Sequence, residues 1–132
     1  MKNIFQRIFV PYEVKILKSE IDVILKEASL TKKILKRRLE TLANDTDKVL
    51  YSIRIDGMKV DHLALMLLTN VLGEELLSGS HHTYRGVLSA TGIEMHSLWH
   101  QAQSLLLTKG YASQQEVDED NNWLKQQIAS AG

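Results

Sequence analysis

The sequence predicts an all-α protein: a single-domain helical bundle of about five helices, residues 1–132, ending in a C-terminal helical hairpin. Three observations predict it. Apolar residues recur at steps of three, four and seven over most of the chain. A single proline, Pro11, interrupts that periodicity only at its start. The one segment with strand-like composition finds no alternating partner elsewhere. At 132 residues, with 44% hydrophobic and 24% charged side chains, the chain has material for one core rather than two.

The first helical pattern runs through Val14, Leu17, Ile21, Ile24, Leu25, Ala28, Leu35, Leu39 and Leu42. These share one face, so an amphipathic helix of up to about eight turns is expected, with Ser29-Leu30-Thr31 able to end one helix and cap the next. A sustained coiled coil is not expected, because the companion series Leu17, Ile24, Thr31, Arg38 loses its apolar character halfway. The polar run Asn44 to Asp47 reads as a connection in which Asp45 or Thr46 caps the next element. Residues 49–56 combine β-branched and aromatic side chains with an Asp56-Gly57 turn signal. Without a partner strand, a short helix ended by Gly57 is the favoured reading.

The next helix, about Lys59 to Leu77, is apolar nearly all round and is expected at the centre of the core. Asp61, His62, Asn70, Glu74 and Glu75 interrupt it too often for a membrane span. Residues 78–92 read as the longest loop. Thr91 with Glu94 three residues on suggests a capping box for a helix over about 92–109, which Gly110 ends. Ser113 with Glu116 repeats that start signal for a last helix, about Gln114 to Ala129. On it Val117, Trp123, Leu124 and Ile128 are expected to face the core, and residues 118–121 the solvent.

Composition also excludes some chemistry. With no cysteine, disulfides, iron–sulfur clusters, thiolate zinc sites and cysteine nucleophiles are ruled out. The first ten residues lack the unbroken apolar stretch and small-residue cleavage site of a secretory signal, so a cytoplasmic protein is expected. Net charge is zero but unevenly distributed. Residues 1–40 hold ten Lys and Arg against five Asp and Glu, and residues 41–132 hold six against eleven, giving +5 and −5.

Several clusters invite chemistry, and each has a plainer reading. His96 and His100, four apart on a helix, have the spacing for two imidazoles to share a divalent metal such as zinc, with His81 or His82 as a third ligand. Ser97 stands where the HExxH motif places its glutamate, so no zinc-protease base is present, and the pair reads better as surface or boundary residues flanking Trp99. In the loop, His81, His82, Tyr84 and Arg85 precede the helix start at Thr91, an arrangement suited to a phosphate or carboxylate. Long polar loops also serve simply as connections. Lys32, Lys33, Lys36 and Arg37 form a basic stripe able to meet phosphates. Lacking interleaved aromatics and a helix-turn-helix, it reads better as a face for a protein partner, such as acidic residues 118–120 of a neighbouring subunit. No GxSxG, GxxxxGK[ST] or GxGxxG motif occurs.

These features together point to a small non-enzymatic interaction protein without cofactor, self-associating as a homodimer through the long N-terminal amphipathic helix. A ligand- or metal-binding protein using His81–Arg85 with His96 and His100 is the alternative. A nucleic-acid-binding module using the basic stripe is the third.

Overall fold

The computed structural model describes residues 11–26, 32–78 and 90–131. Six α-helices and one π-helical turn account for nearly all of them, and no strand occurs among the described residues. In chain order they are α1 (Tyr12–Lys26), α2 (Lys32–Ala43), α3 (Thr46–Leu50), a π-turn (Tyr51–Ile55), α4 (Val60–Leu77), α5 (Ala90–Thr108) and α6 (Gln114–Ala131). Among the described residues no helix is long and apolar enough to cross a membrane.

The centre is α4, and its composition explains why. Leu63, Ala64, Leu65, Leu68, Val71, Leu72, Gly73 and Leu76 are all buried and cover most of the circumference, leaving the line of Met66, Asn70 and Glu74 exposed. A helix apolar round most of its circumference gains most when covered by several neighbours. Accordingly α1, α2, α5 and α6 each pack directly on α4.

The N-terminal periodicity is divided between two helices. Val14, Leu17, Ile21 and Leu25 of α1 and Leu35, Leu39 and Ala43 of α2 are buried together. Residues 27–31, with the Ser-Leu-Thr group expected to end one helix and cap the next, lie outside the described residues. One consequence is that the apolar stripe of α1 and α2 is already covered by the chain's own core. An interface on that stripe would have to displace α4. Leu42, expected on the stripe, is substantially exposed while Ala43 takes the inner position.

Residues 46–55 are helical, as the absence of a partner strand suggests. Asp45 caps α3 by accepting the Lys48 N–H at 3.4 Å. The helix then widens into the π-turn, in which the Asp56 N–H reaches the Tyr51 carbonyl at 3.1 Å. Gly57 follows with φ +69°, a left-handed conformation that closes the segment.

The C-terminal hairpin follows its local signals closely. Gly110 has φ +77°, the Tyr111 N–H bonds back to the Leu106 carbonyl at 2.8 Å, and the Gly110 N–H bonds to the Leu107 carbonyl at 3.1 Å. That pair of bonds is the Schellman closure. At the start of α6 the Glu116 N–H donates to Ser113 Oγ and the Ser113 N–H donates to Glu116 Oε1, both at 3.1 Å. This is the reciprocal capping box, and it holds the Glu116 carboxyl below the usual range through its bond from the Ser113 N–H.

Two expectations need correction. The backbone of α5 is already helical at Ala90 and Thr91, so Thr91 lies inside the helix rather than capping it. A Thr and a Glu three residues apart are also ordinary one-turn neighbours within a helix, so spacing alone does not locate an end. On α6 the buried stripe is Val117, Leu124 and Ile128, with Asn121 on the same line at steps of three and four. Trp123 lies about 100° round from Leu124 and is half exposed, at 50%.

Opposite charges of the two chain halves do meet within the molecule. Arg38 of α2 reaches both Glu74 and Glu75 on α4. The reverse pairing occurs as well, with Arg54 of the π-turn bound to Glu13 of α1.

Candidate functional site

Helices α5 and α6 diverge over α4 and leave a cleft of about 370 Å³ between them. Its floor is built from α4 and α5. Gly73 matters there because a Cβ at this position would stand 3.2 Å from Trp99 Cζ3, so the indole lies directly against the α4 backbone. Trp99 is buried, and its Nε1–H donates to Asn121 Oδ1 of α6 at 2.7 Å. That bond explains a polar residue on the inner stripe of α6, since a buried indole N–H needs an acceptor.

Gln103 follows Trp99 by one helical turn and also lines the cleft. It is the one buried polar residue among those described, at 4% exposure, and its Oε1 has no hydrogen-bond donor there. The α6 side contributes Val117, Asp120 and the half-exposed Trp123. Burial, reinforced by the carboxylates of Glu116 and Glu119, pushes the Asp120 carboxyl above its ordinary range. The cleft thus combines two indoles, the amides of Asn70 and Gln103 and the carboxylates of Glu74 and Asp120, with no lysine or arginine in its lining.

A second polar cluster ties the hairpin to the core. Asp61, in the first turn of α4, accepts Lys109 Nζ at 2.9 Å and Tyr111 OH at 2.7 Å, and the Tyr111 ring stacks on His62 at 4.4 Å. The Lys109 ammonium, with the Tyr111 hydroxyl, holds the Asp61 carboxyl below its ordinary range. An acid whose pKa is lower in the folded chain stabilises the fold fully above its unfolded value, near 3.9, and loses that contribution as pH falls through the folded value. Asp61→Asn is therefore expected to lower the melting temperature at neutral pH and to flatten its decline below about pH 4. A series of thermal scans over the acid range checks both.

The histidines of α5 come together as their spacing implies. The His96 and His100 rings meet edge to face at 4.5 Å, and burial followed by the neighbouring His100 charge pushes the His96 pKa down. No group of three or more His, Cys, Asp or Glu able to hold a metal occurs among the described residues. His81 and His82, the expected third ligands, lie outside the described residues, as do Tyr84 and Arg85 of the anion-site reading and the side chain of Thr91.

The basic stripe is present on α2 and partly neutralised. Lys36 lies 3.6 Å from Asp22 and 3.9 Å from Glu40, whereas Lys33 and Arg37 are exposed and form no ion pair among the described residues. The side chain of Lys32 lies outside the described residues. Lys33 and Lys36 line, with Lys26 and Asp22, a cleft of about 510 Å³ at the end of α1 and α2.

Neither Gln103 nor Gly73 stands out as functional from composition. A signal for each is present nonetheless: a polar residue on the Met95, Trp99, Leu106 line, and an isolated glycine inside a long apolar helix. No protein-family model, curated protein or solved structure matches the chain, so the functional reading rests on these side chains.

Proposed function

We propose that the chain is a small non-enzymatic interaction protein that self-associates as a homodimer, the acidic face of α6 in one copy meeting the basic face of α2 in the other. The observation that carries this reading is a pair of stripes with the same spacing and opposite sign. Lys33, Lys36 and Arg37 stand at positions i, i+3 and i+4 of α2, and Glu116, Glu119 and Asp120 at i, i+3 and i+4 of α6. Residues so spaced share one helix face.

Each stripe retains charge that no ion pair among the described residues compensates, Lys33 and Arg37 on α2 and the carboxylates on α6. No ion pair among the described residues involves an α6 carboxylate; Asp118 and Glu119 accept only from Gln114 and Gln115. Burial first, and then the neighbouring carboxylates of Glu116 and Glu119, raise the Asp120 pKa. In a two-fold pair the contact forms twice, which doubles its contribution. Because the apolar stripe of α1 and α2 is covered by α4, the proposed contact uses the charged outer face of α2.

Light scattering across a concentration series, at low and at high salt, tests the reading. The expected result is a dimer at low salt that dissociates as salt rises, since exposed ion pairs are screened. Lys33→Glu and Glu119→Lys should each give a monomer at low salt, and the two combined should restore the dimer. A monomer at every concentration in low salt, or a dimer indifferent to salt and to charge reversal, would sink the proposal.

A further inference from the structure

We propose that the hollow between α1, α4 and α5 binds a small primary aliphatic amine in its ammonium form, the alkyl body against Val23, Ile24 and Leu105 and the ammonium on the Glu20 carboxylate. The hollow measures about 270 Å³ and is open to the surface, where Val23 is 58% and Leu105 41% exposed. Sites for drug-sized ligands start at about 300 Å³, so this one takes a smaller molecule.

The apolar part of the lining selects an alkyl group. Every apolar residue there is aliphatic, and three of them, Val23, Ile24 and Leu105, keep surface in contact with solvent. Leu65 and Leu68 form a closed floor, so an alkyl group resting above them removes apolar surface from water without displacing a core residue.

The polar part selects the head. The ionisable residues of the lining are Glu20, Asp61 and Lys109. Asp61 and Lys109 are bound to each other at 2.9 Å, and Asp61 also accepts the Tyr111 hydroxyl. Glu20 forms no ion pair or side-chain hydrogen bond among the described residues. Its charge is felt at Lys109, whose pKa is raised first by the bond to Asp61 and, in smaller part, by Glu20. Two carboxylates against one ammonium leave the site with a net negative charge. A cationic head gives Glu20 its counter-charge. An anionic head meets Glu20 at the same opening, and it reaches Lys109 only by drawing that side chain from Asp61. An ammonium carries its charge in a compact group, which suits a hollow of this size better than a guanidinium.

Hexylamine is the probe, titrated into the full chain by calorimetry at neutral pH and low salt, with hexanoate and hexanol as controls of equal chain length. Saturable binding of hexylamine is expected, with hexanoate failing to bind and hexanol binding roughly tenfold more weakly. Glu20→Gln should weaken hexylamine roughly tenfold, through loss of a charge-assisted hydrogen bond. Val23→Lys, three residues along α1 from Glu20, sets the protein's own ammonium on the same helix face and should abolish binding. Both side chains reach solvent, so neither change opens the core. The hollow shares no residue with the charged stripes of α2 and α6, so this result and that of the dimer test are independent. The proposal is overturned by any of three results: no saturation with hexylamine, hexanoate or hexanol binding as tightly, or unchanged hexylamine affinity in either variant.

Discussion

Leu68→Ala is expected to lower the stability of this protein by about 2–5 kcal/mol, the range for emptying a buried leucine site. Leu68 is 1% exposed at the middle of α4. On one side it meets Ile21, Ile24, Leu25 and Leu39 about a gap too tight to admit a water molecule, and on another it faces Leu98, Ala102 and Leu105 of α5. Three helices thus converge on one side chain, and closing the space left by its removal would require all three to move. The cost belongs toward the upper part of the range for that reason. Urea unfolding followed by far-ultraviolet circular dichroism measures it, with Leu68→Met as the volume-conserving control, expected to cost less than about 1.5 kcal/mol. An equal loss in both variants would show that this position does not depend on filled volume.

Trp99→Ala is expected to cost about 3–5 kcal/mol by a different route. The indole fills the space above Gly73 and provides the Nε1–H bond to Asn121. Deleting it leaves both a cavity and a carbonyl oxygen on α6 without its donor. Trp99→Phe keeps most of the ring and loses the bond, so it should be markedly milder. The same unfolding measurement separates the two, and similar losses would mean that the bond outweighs the packing. Because small domains are stable by only about 5–15 kcal/mol, either alanine variant removes a large share of the total.

The parts of this fold legible from sequence are those whose cause is local. Gly110 and the Ser113/Glu116 pair mark helix ends because a left-handed residue and a reciprocal cap need only a few neighbours. The central place of α4 is legible for a related reason, since a helix with apolar residues round most of its circumference is best covered by several neighbours, with only the Met66, Asn70, Glu74 line left to solvent. Thr91 misleads because the spacing of a cap and the spacing of a helical turn are the same. Trp123 misleads because hydrophobicity alone assigns it inward, whereas the inner line of α6 is drawn by Val117, Asn121, Leu124 and Ile128. Asn121 belongs on that line only because Trp99, on another helix, needs an acceptor there.

The candidate site shows the same division. The basic and acidic stripes are visible in the sequence because each lies on a single helix. The cleft is not, because it exists only where α4, α5 and α6 diverge, and its distinguishing feature is a missing donor. A missing partner is a property of the whole packing arrangement.

Uneven charge along the chain also acts on the rate of encounter, apart from the strength of contact. A chain with zero net charge carries no monopole to repel a second copy, so approach between copies is not opposed at long range. In the proposed dimer the basic face of α2 and the acidic face of α6 attract as two copies diffuse together, and the attraction aligns them. Alignment of this kind raises the fraction of collisions that are correctly oriented, and it acts over about a Debye length, roughly 10 Å at 0.1 M salt. For the proposed dimer, ionic strength therefore acts twice, on how often copies find one another and on how long they stay.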